Sequence, residues 1–599
     1  MRSKLAGALP FAKWIVLSAR QSLGFAFLCT LCCGIAWIAG MTTLQPIAVA
    51  AFALLIAVNL VLYRMHRLSL LDSMLSLGLL LIGLALSATF LSRIYDTTYD
   101  GMRAHQASVV ALKHGWNPIK DPRFEAPLLR QNVETERSLQ MQALQENIML
   151  GQGGKVNSFY MLTAVLYAMF DNLEASKSVH FLMGLAAFGL TFQLLAKLSL
   201  RWAPLWAILF SANPVVLYQF GSFMLDGYTY SLFQICLVAM LSILYWPQQL
   251  TGWTDGVLSA LLLFTAKISG ASYLFALIAA FLLVAGVRYL LKRPLQVKIR
   301  WAMVLMILGF LGASIYHLYG LRQVTIHGVS VASISSFMMH RDQSRPGLAG
   351  IPELASQWKG ERFWHSHASE THINPGTYRS KPPGMVRVGE LKQLHRGHGE
   401  YRTGGFGPLY SAMLCVALII LVRKPSVLSQ FPFQVFAVFV CLTGWMLPIW
   451  WARWTPFQWL IPLLPMLWVA VRSPSDSSIF QLPRFITRGG LLACLGLINV
   501  CLVSLSYMLG RWELSRAIDQ RILSMTEEGS TVELHTEVFP CNQFWFTTLG
   551  RSVEVMLREA KEMTDDSTLM TIPGTDSRFR VRAEVLPTQR IEGDVKEGK

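Results

Sequence analysis

Charge is scarce in this 599-residue chain: Asp, Glu, Lys and Arg make up only 15% of it, against about 25% in an ordinary soluble protein. With 53% of residues drawn from the set AVILMFWYC, that scarcity excludes a water-soluble globule. Cysteine usage excludes a disulfide scaffold, because eight of nine cysteines fall in apolar runs and only Cys541 lies in a polar part. The group Cys29, Cys32 and Cys33 sits inside one such run, where small polarizable packing residues are expected and metal ligands are not. A P-loop, a glycine-rich dinucleotide turn and internal repeats are also missing, which removes the nucleotide-cradling folds and the repeat-built transporters. The formal net charge of +17 does not point to nucleic acid, since the basic residues cluster in short segments at alternate ends of the apolar runs, as cytoplasmic retention of Lys and Arg requires.

What is present is a succession of long apolar runs. A hydrocarbon core about 30 Å thick takes roughly 20 helical residues to cross. Runs of that kind predict membrane helices over 23–41, 44–63, 69–92, 176–198, 203–221, 228–246, 254–269, 270–291, 301–320, 405–423, 431–450, 455–471 and 488–509. The expected fold class is therefore an all-α polytopic membrane protein with about 13 transmembrane helices. Orientation follows from Lys and Arg in the short connections. Arg2, Lys4, Lys13 and Arg20 precede the first run, Arg64 and Arg67 follow the second, and Lys197, Arg201, Lys292, Arg293, Arg423, Lys424 and Arg472 fall on the same side when thirteen crossings are counted. The amino terminus is then cytoplasmic and the carboxyl terminus exoplasmic. Three parts result: two amino-terminal helices (1–68), a transmembrane core (69–509) and a small exoplasmic carboxyl-terminal domain (510–599). The run 157–170 is apolar but too short to cross, and reads as an interfacial or re-entrant helix.

The same count places the long polar segments 93–175, 321–404 and 510–599 on one exoplasmic face. In the first, Asp96 and Asp100 stand four apart in YDTTYDG, followed by a helix read as amphipathic and lying on the membrane, with Val109, Val110 and Leu112 on its apolar face. Such carboxylates can accept a proton from a hydroxyl or hold a divalent cation, Mg or Mn, against phosphate oxygens. Capping of a solvated helix end accounts for the spacing equally well. Asp226 stands in a short turn, FGSFMLDGYTYS, where Asp-Gly is also ordinary turn chemistry. Together Asp96, Asp100 and Asp226 form the candidate metal set.

Lys267 interrupts LLLFTAKISGASYLF. A charge at the centre of a membrane helix costs about 2.5–3.5 kcal/mol on insertion scales, so a function is the default reading. Arg453 lies among Trp450, Trp451 and Trp454. It is either a snorkelling member of an aromatic belt or a phosphate clamp. The loop 321–404 carries 11 Lys/Arg against 6 Asp/Glu, and His365, His367 and His372 in an HxHx4H pattern. That pattern lacks a zinc-site context, so contact with an anionic ligand is the expectation. His105, His365, His367 and Arg379 are the candidate loop contacts to substrate.

At these residues the chain resembles the GT-C superfamily of membrane glycosyltransferases, which use sugars linked to a lipid phosphate. The resemblance spans roughly 69–471 and is carried by YDTTYDG with the following GWNP, the acidic turn at Asp226, the AKISG helix break, the long loop before 405, and Arg453 with Trp454 ahead of a proline-containing helix. A tyrosine is more usual than Trp454 after that arginine, and two extra helices stand at the amino terminus. The resemblance implies Asp96 or Asp100 as catalytic base or metal-associated acid, Asp226 as a supporting carboxylate, and Lys267 and Arg453 as contacts to the donor phosphate. It implies a polyprenyl-phosphate-linked sugar as donor, a glycan, lipid or protein as acceptor, membrane lipid around the chain, and a bacterial inner (plasma) membrane location. The rival readings are a polysaccharide polymerase or ligase using a pyrophosphate-linked oligosaccharide, and a lipid or sugar transporter or flippase without bond chemistry.

Overall fold

A computed structural model describes residues 10–64, 69–98, 101–120, 157–198, 202–246, 248–291, 409–446, 455–472 and 488–526, the strand segments 531–535, 554–557, 570–571 and 578–581, and residues 200, 406, 545 and 549. The chain divides into two compact units, Met1–Glu513 and Leu514–Lys599.

The first unit is helical. Its helices are α1 (Pro10–Ala39), α2 (Gln45–Arg64), α3 (Leu70–Leu91), α4 (Gln106–Lys113), α5 (Ser158–Phe170), α6 (Val179–Lys197), α7 (Ala203–Ser211), α8 (Pro214–Gln219), α9 (Asp226–Tyr245), α10 (Leu250–Ala266) and α11 (Ile268–Leu290). They are followed by α12 (Tyr410–Arg423), α13 (Phe431–Met446), α14 (Leu460–Arg472) and α15 (Arg488–Met525), the last running on into the second unit. Among the described residues seven helical segments are long and apolar enough to cross a membrane: Phe11–Ala39, Gln45–Arg64, Leu70–Leu91, Glu174–Lys197, Asp226–Tyr245, Ser269–Arg288 and Gly490–Ser524. Five more apolar helices are shorter, at 10–17 residues. Large apolar side chains such as Val49, Leu71, Leu86 and Val422 are more than 60% exposed. Water would not tolerate so continuous an apolar exterior, and lipid does. The chain has the architecture of a multi-pass helical membrane protein; the expected helix at 301–320 lies outside the described residues.

Several boundaries differ from those expected, each for a physical reason. The first helix begins at Pro10, so Lys13 and Arg20 lie within it and do not precede it. Both are neutralised from other helices. Lys13 pairs with Asp72 at the start of α3, and Arg20 holds both oxygens of Asp255 on α10 at 3.1–3.3 Å, with Gln193 of α6 at 2.8 Å. The expected helix 203–221 is broken. Asn213 accepts from the Val215 amide, and Pro214 opens α8. The carbonyls freed at the break are taken up by neighbours: Trp459 Nε1 donates to the Leu209 carbonyl at 2.7 Å and the Tyr230 hydroxyl to that of Phe210 at 2.8 Å. The break is therefore pinned from two sides.

The short run 157–170 forms α5, with Ser158–Ala168 buried throughout, so it is a helix inside the bundle and not one lying in an interface. It packs on α1, α2, α4 and α10. Likewise α4 buries Gln106, Ala107, Ser108, Val109, Ala111 and Leu112. Its polar side is enclosed along with the apolar one, so it is not the amphipathic surface helix expected.

The second unit carries a four-stranded sheet, β1 (Thr531–His535), β2 (Glu554–Leu557), β3 (Met570–Thr571) and β4 (Arg578–Val581), in the order β2-β1-β4-β3. β1 pairs parallel with β2 and antiparallel with β4, and β3 pairs antiparallel with β4. The all-α expectation therefore holds for the helical unit alone. The unit starts at Leu514 rather than at 510, and α15 extends well beyond the expected end at 509.

Candidate functional site

The ends of the bundle differ in their charge. Lys13, Arg20, Asp72, Lys197 and Asp255 gather at one end. At the other, where α3 finishes and α9 starts, a second set of ionisable side chains is buried. It is built on two short segments, 94–98 after α3 and 219–227 between α8 and α9.

Asp96 is fully buried and already engaged. Its Oδ1 accepts from the Thr98 amide at 2.8 Å and the Thr98 hydroxyl at 2.7 Å; its Oδ2 accepts from the Phe223 amide at 2.8 Å. The first pair makes a tight turn of the chain leaving α3. The second ties that turn to the 219–227 segment. Gly101 opens a single π-helical turn, Gly101–His105, against this carboxylate, and a Cβ there would run into Asp96 and the Thr98 hydroxyl.

Asp226 is the first residue of α9, not a residue of a free turn. Its Oδ2 accepts from Gln219 Nε2 at 3.1 Å and its Oδ1 from Lys267 Nζ at 2.5 Å. Gln219 in turn accepts from the Gly227 amide at 2.5 Å. Lys267 stands, as expected, where one apolar run is interrupted: it is extended between α10 and α11. Its side chain is 25% exposed while that of Asp226 is 3% exposed. The lysine side chain is thus partly accessible while its counter-ion stays inside.

Three charged residues of this end carry no motif and were not among the candidates. Lys177 and Glu174, on a 3-10 turn (Glu174–Ser178) ahead of α6, form a fully buried pair at 2.5 Å. Arg511 of α15, also fully buried, donates to the Tyr507 hydroxyl at 2.8 Å and to the Thr97 hydroxyl, next to Asp96. His180 contacts the Ser222 carbonyl at 3.0 Å. A signal for Arg511 was present in WELSRAIDQRI, where helical spacing of apolar residues continues past 509. Lys177 gave none, since the two carbonyls it donates to lie 83 and 44 residues away and a Glu three residues before a Lys is common on solvated helices.

His105 is half-buried, with Nδ1 2.5 Å from the Tyr160 hydroxyl of α5. Asp100, Arg453, His365, His367 and Arg379 lie outside the described residues. Among the described residues no three His, Cys, Asp or Glu side chains come together as ligands. Asp96 and Asp226 each commit both oxygens to N–H or O–H donors. Asp226 already faces a cation, so these two carboxylates do not fit a shared divalent ion.

On the rim of the site, Lys113 pairs with Asp171 and lies 4.0 Å from the centre of the Tyr167 ring. Burial beside Lys113 pulls His114 down to about 4. The arrangement offers one partly accessible lysine side chain, paired with a buried carboxylate. No family model, no curated protein and no solved structure matches this chain.

Proposed function

We propose that this protein is a membrane glycosyltransferase of the GT-C kind, moving a sugar from a polyprenyl-phosphate donor to an acceptor at the exoplasmic face. The observation that carries the reading is the Asp226–Lys267 pair at the interruption between α10 and α11. A lipid phosphate approaches from the bilayer with its charge at the boundary, where the partly exposed Lys267 ammonium meets it. Basic residues at the opposite end, Lys13, Arg20, Arg64 and Lys197, support a cytoplasmic assignment for that end and an exoplasmic one for the site.

In the transfer, an acceptor hydroxyl oxygen forms the new bond to the anomeric carbon while the bond from that carbon to the phosphate oxygen breaks. The phosphate leaves with the electron pair, and the acceptor proton passes to a carboxylate. Lys267, joined by Arg453, offsets the charge developing on the leaving phosphate. Asp226 holds Lys267 in place before the donor arrives. The lone pairs of Asp96 are engaged by three donors, so the proton-accepting role falls to Asp100, with Asp96 organising the turn that leads to it.

Incubating the protein in lipid nanodiscs with a panel of polyprenyl-phosphate sugars, each in the presence of glycan, lipid and protein acceptors, tests the reading. Release of free polyprenyl phosphate with any donor supports it, and no release with the whole panel rejects it. A flippase or transporter is the second reading, favoured by the interruptions at Asn213 and Lys267, because broken helices build transporter sites. It predicts movement of the lipid-linked sugar across the bilayer with no bond cleaved. The pinned carbonyls at the Asn213 break count against that region as a moving part.

A further inference from the structure

One buried ammonium joins the two segments of the site. Lys177 Nζ donates to the Ile94 carbonyl and to the Gly221 carbonyl at 3.2 Å, and lies 2.5 Å from Glu174 Oε2 as an ion pair. A lysine ammonium has three N–H bonds, and the two carbonyls, one on each segment, take two of them. Lys177 and Glu174 are both 0% exposed. A second tie runs parallel, from the Phe223 amide to Asp96. Gln106 Nε2 approaches the other oxygen of Glu174 at 3.4 Å, which holds the acid on the α4 side.

We propose that Lys177 is a positioning residue, whose ammonium sets the register of the Asp96 segment against the segment that leads into Asp226. Its place in sugar transfer rests on the reading given above; the clamp between the segments does not. The residue is enclosed and touches no substrate, so it acts through the two carbonyls it holds. A plain ion pair would make a different prediction. If Lys177 served only to neutralise Glu174, removing both charges together would restore the site. If the carbonyl bonds matter, removing both charges would restore folding but leave the segments untied.

The test uses the full chain in nanodiscs, as wild type, Lys177→Met, and Lys177→Met combined with Glu174→Gln. Thermal melting, hydrogen exchange of the peptide 219–225 and polyprenyl-phosphate release are measured on each. The single variant removes the ammonium from beside the buried Glu174 carboxylate and is expected to melt below wild type. The double variant is expected to recover most of that loss, while amides of 219–225 exchange about tenfold faster or more than in wild type and transfer stays depressed. Unchanged exchange in the folded double variant overturns the proposal. So does full recovery of transfer, or a double variant with no cooperative melt, which would make the pair a requirement of the core. If exchange rises while the wild type transfers no sugar from any donor, the clamp stands and the transferase reading fails.

Discussion

Replacing Asp96 by Asn is predicted to destabilise the protein before it does anything else. An expectation from the sequence alone is that Asn preserves size and hydrogen bonding and leaves folding intact. The structure removes that expectation, because all three partners of the carboxylate are donors: the Thr98 amide, the Thr98 hydroxyl and the Phe223 amide. An Asn side chain offers one acceptor oxygen and one NH2 group. The hydroxyl of Thr98 can rotate to accept, but the two backbone N–H groups cannot. One of them must face the NH2 group and go unbonded, in a site with no water access to the carboxylate. Losing a hydrogen bond to a charged group and leaving a buried donor unmade amounts to about 2–4 kcal/mol. Melting of the detergent-solubilised protein, followed by tryptophan fluorescence, reads the effect directly. Thr98→Val, which removes only the hydroxyl donor, should cost less, about 1 kcal/mol. If Asp96→Asn melts with wild type, the carboxylate does not hold the two segments together and the account of this end of the bundle is wrong.

Further outcomes follow from particular contacts. Gly101→Ala places a methyl group against the Asp96 carboxylate and the Thr98 hydroxyl; a loss of about 1–3 kcal/mol in stability is expected from overpacking, and an unchanged melt would refute the close approach. His114 is held to about 4 by burial, so the unfolded chain binds the extra proton between the ordinary value of about 6.5 and 4. Stability is therefore expected to fall as pH drops through that window, and His114→Gln should flatten that part of the melting-temperature profile. Reporter fusions after residues 130, 360 and 560 should all report the exoplasmic side, and a cytoplasmic signal from any of them would overturn the orientation.

The apolar runs were legible as helices because lipid imposes the same demand on each: Gln45–Arg64 and Leu70–Leu91 match the expected 44–63 and 69–92 within two residues. Where charge enters a helix, composition misleads. The run containing Lys13 and Arg20 looked like a basic leader because the acids that offset it, Asp72 and Asp255, are 59 and 235 residues away. The break at Asn213 was readable in principle, since Asn followed by Pro is a helix-start signal, but the unbroken apolar composition of 203–221 concealed it. Lys267 was legible as an interruption, and its partner Asp226 as an acid at a helix junction. What could not be read was the pairing, or the burial of Lys177, Glu174 and Arg511. Each is fixed by a contact between distant segments, and nothing local to a charged residue distinguishes a solvated helix end from a buried tie.

The most direct test of the central claim compares polyprenyl-phosphate release by wild type and by Lys267→Met in nanodiscs supplied with the same donors and acceptors, with melting temperatures recorded for both. The variant keeps Gln219 on Asp226 but takes the ammonium from that buried carboxylate, so it is expected to melt below wild type, and release is compared at a temperature where it stays folded. With the leaving phosphate no longer met by an ammonium, release should drop by about 10²-fold or more. Release at the wild-type rate from the folded variant, or no release by wild type with any donor, would contradict the account.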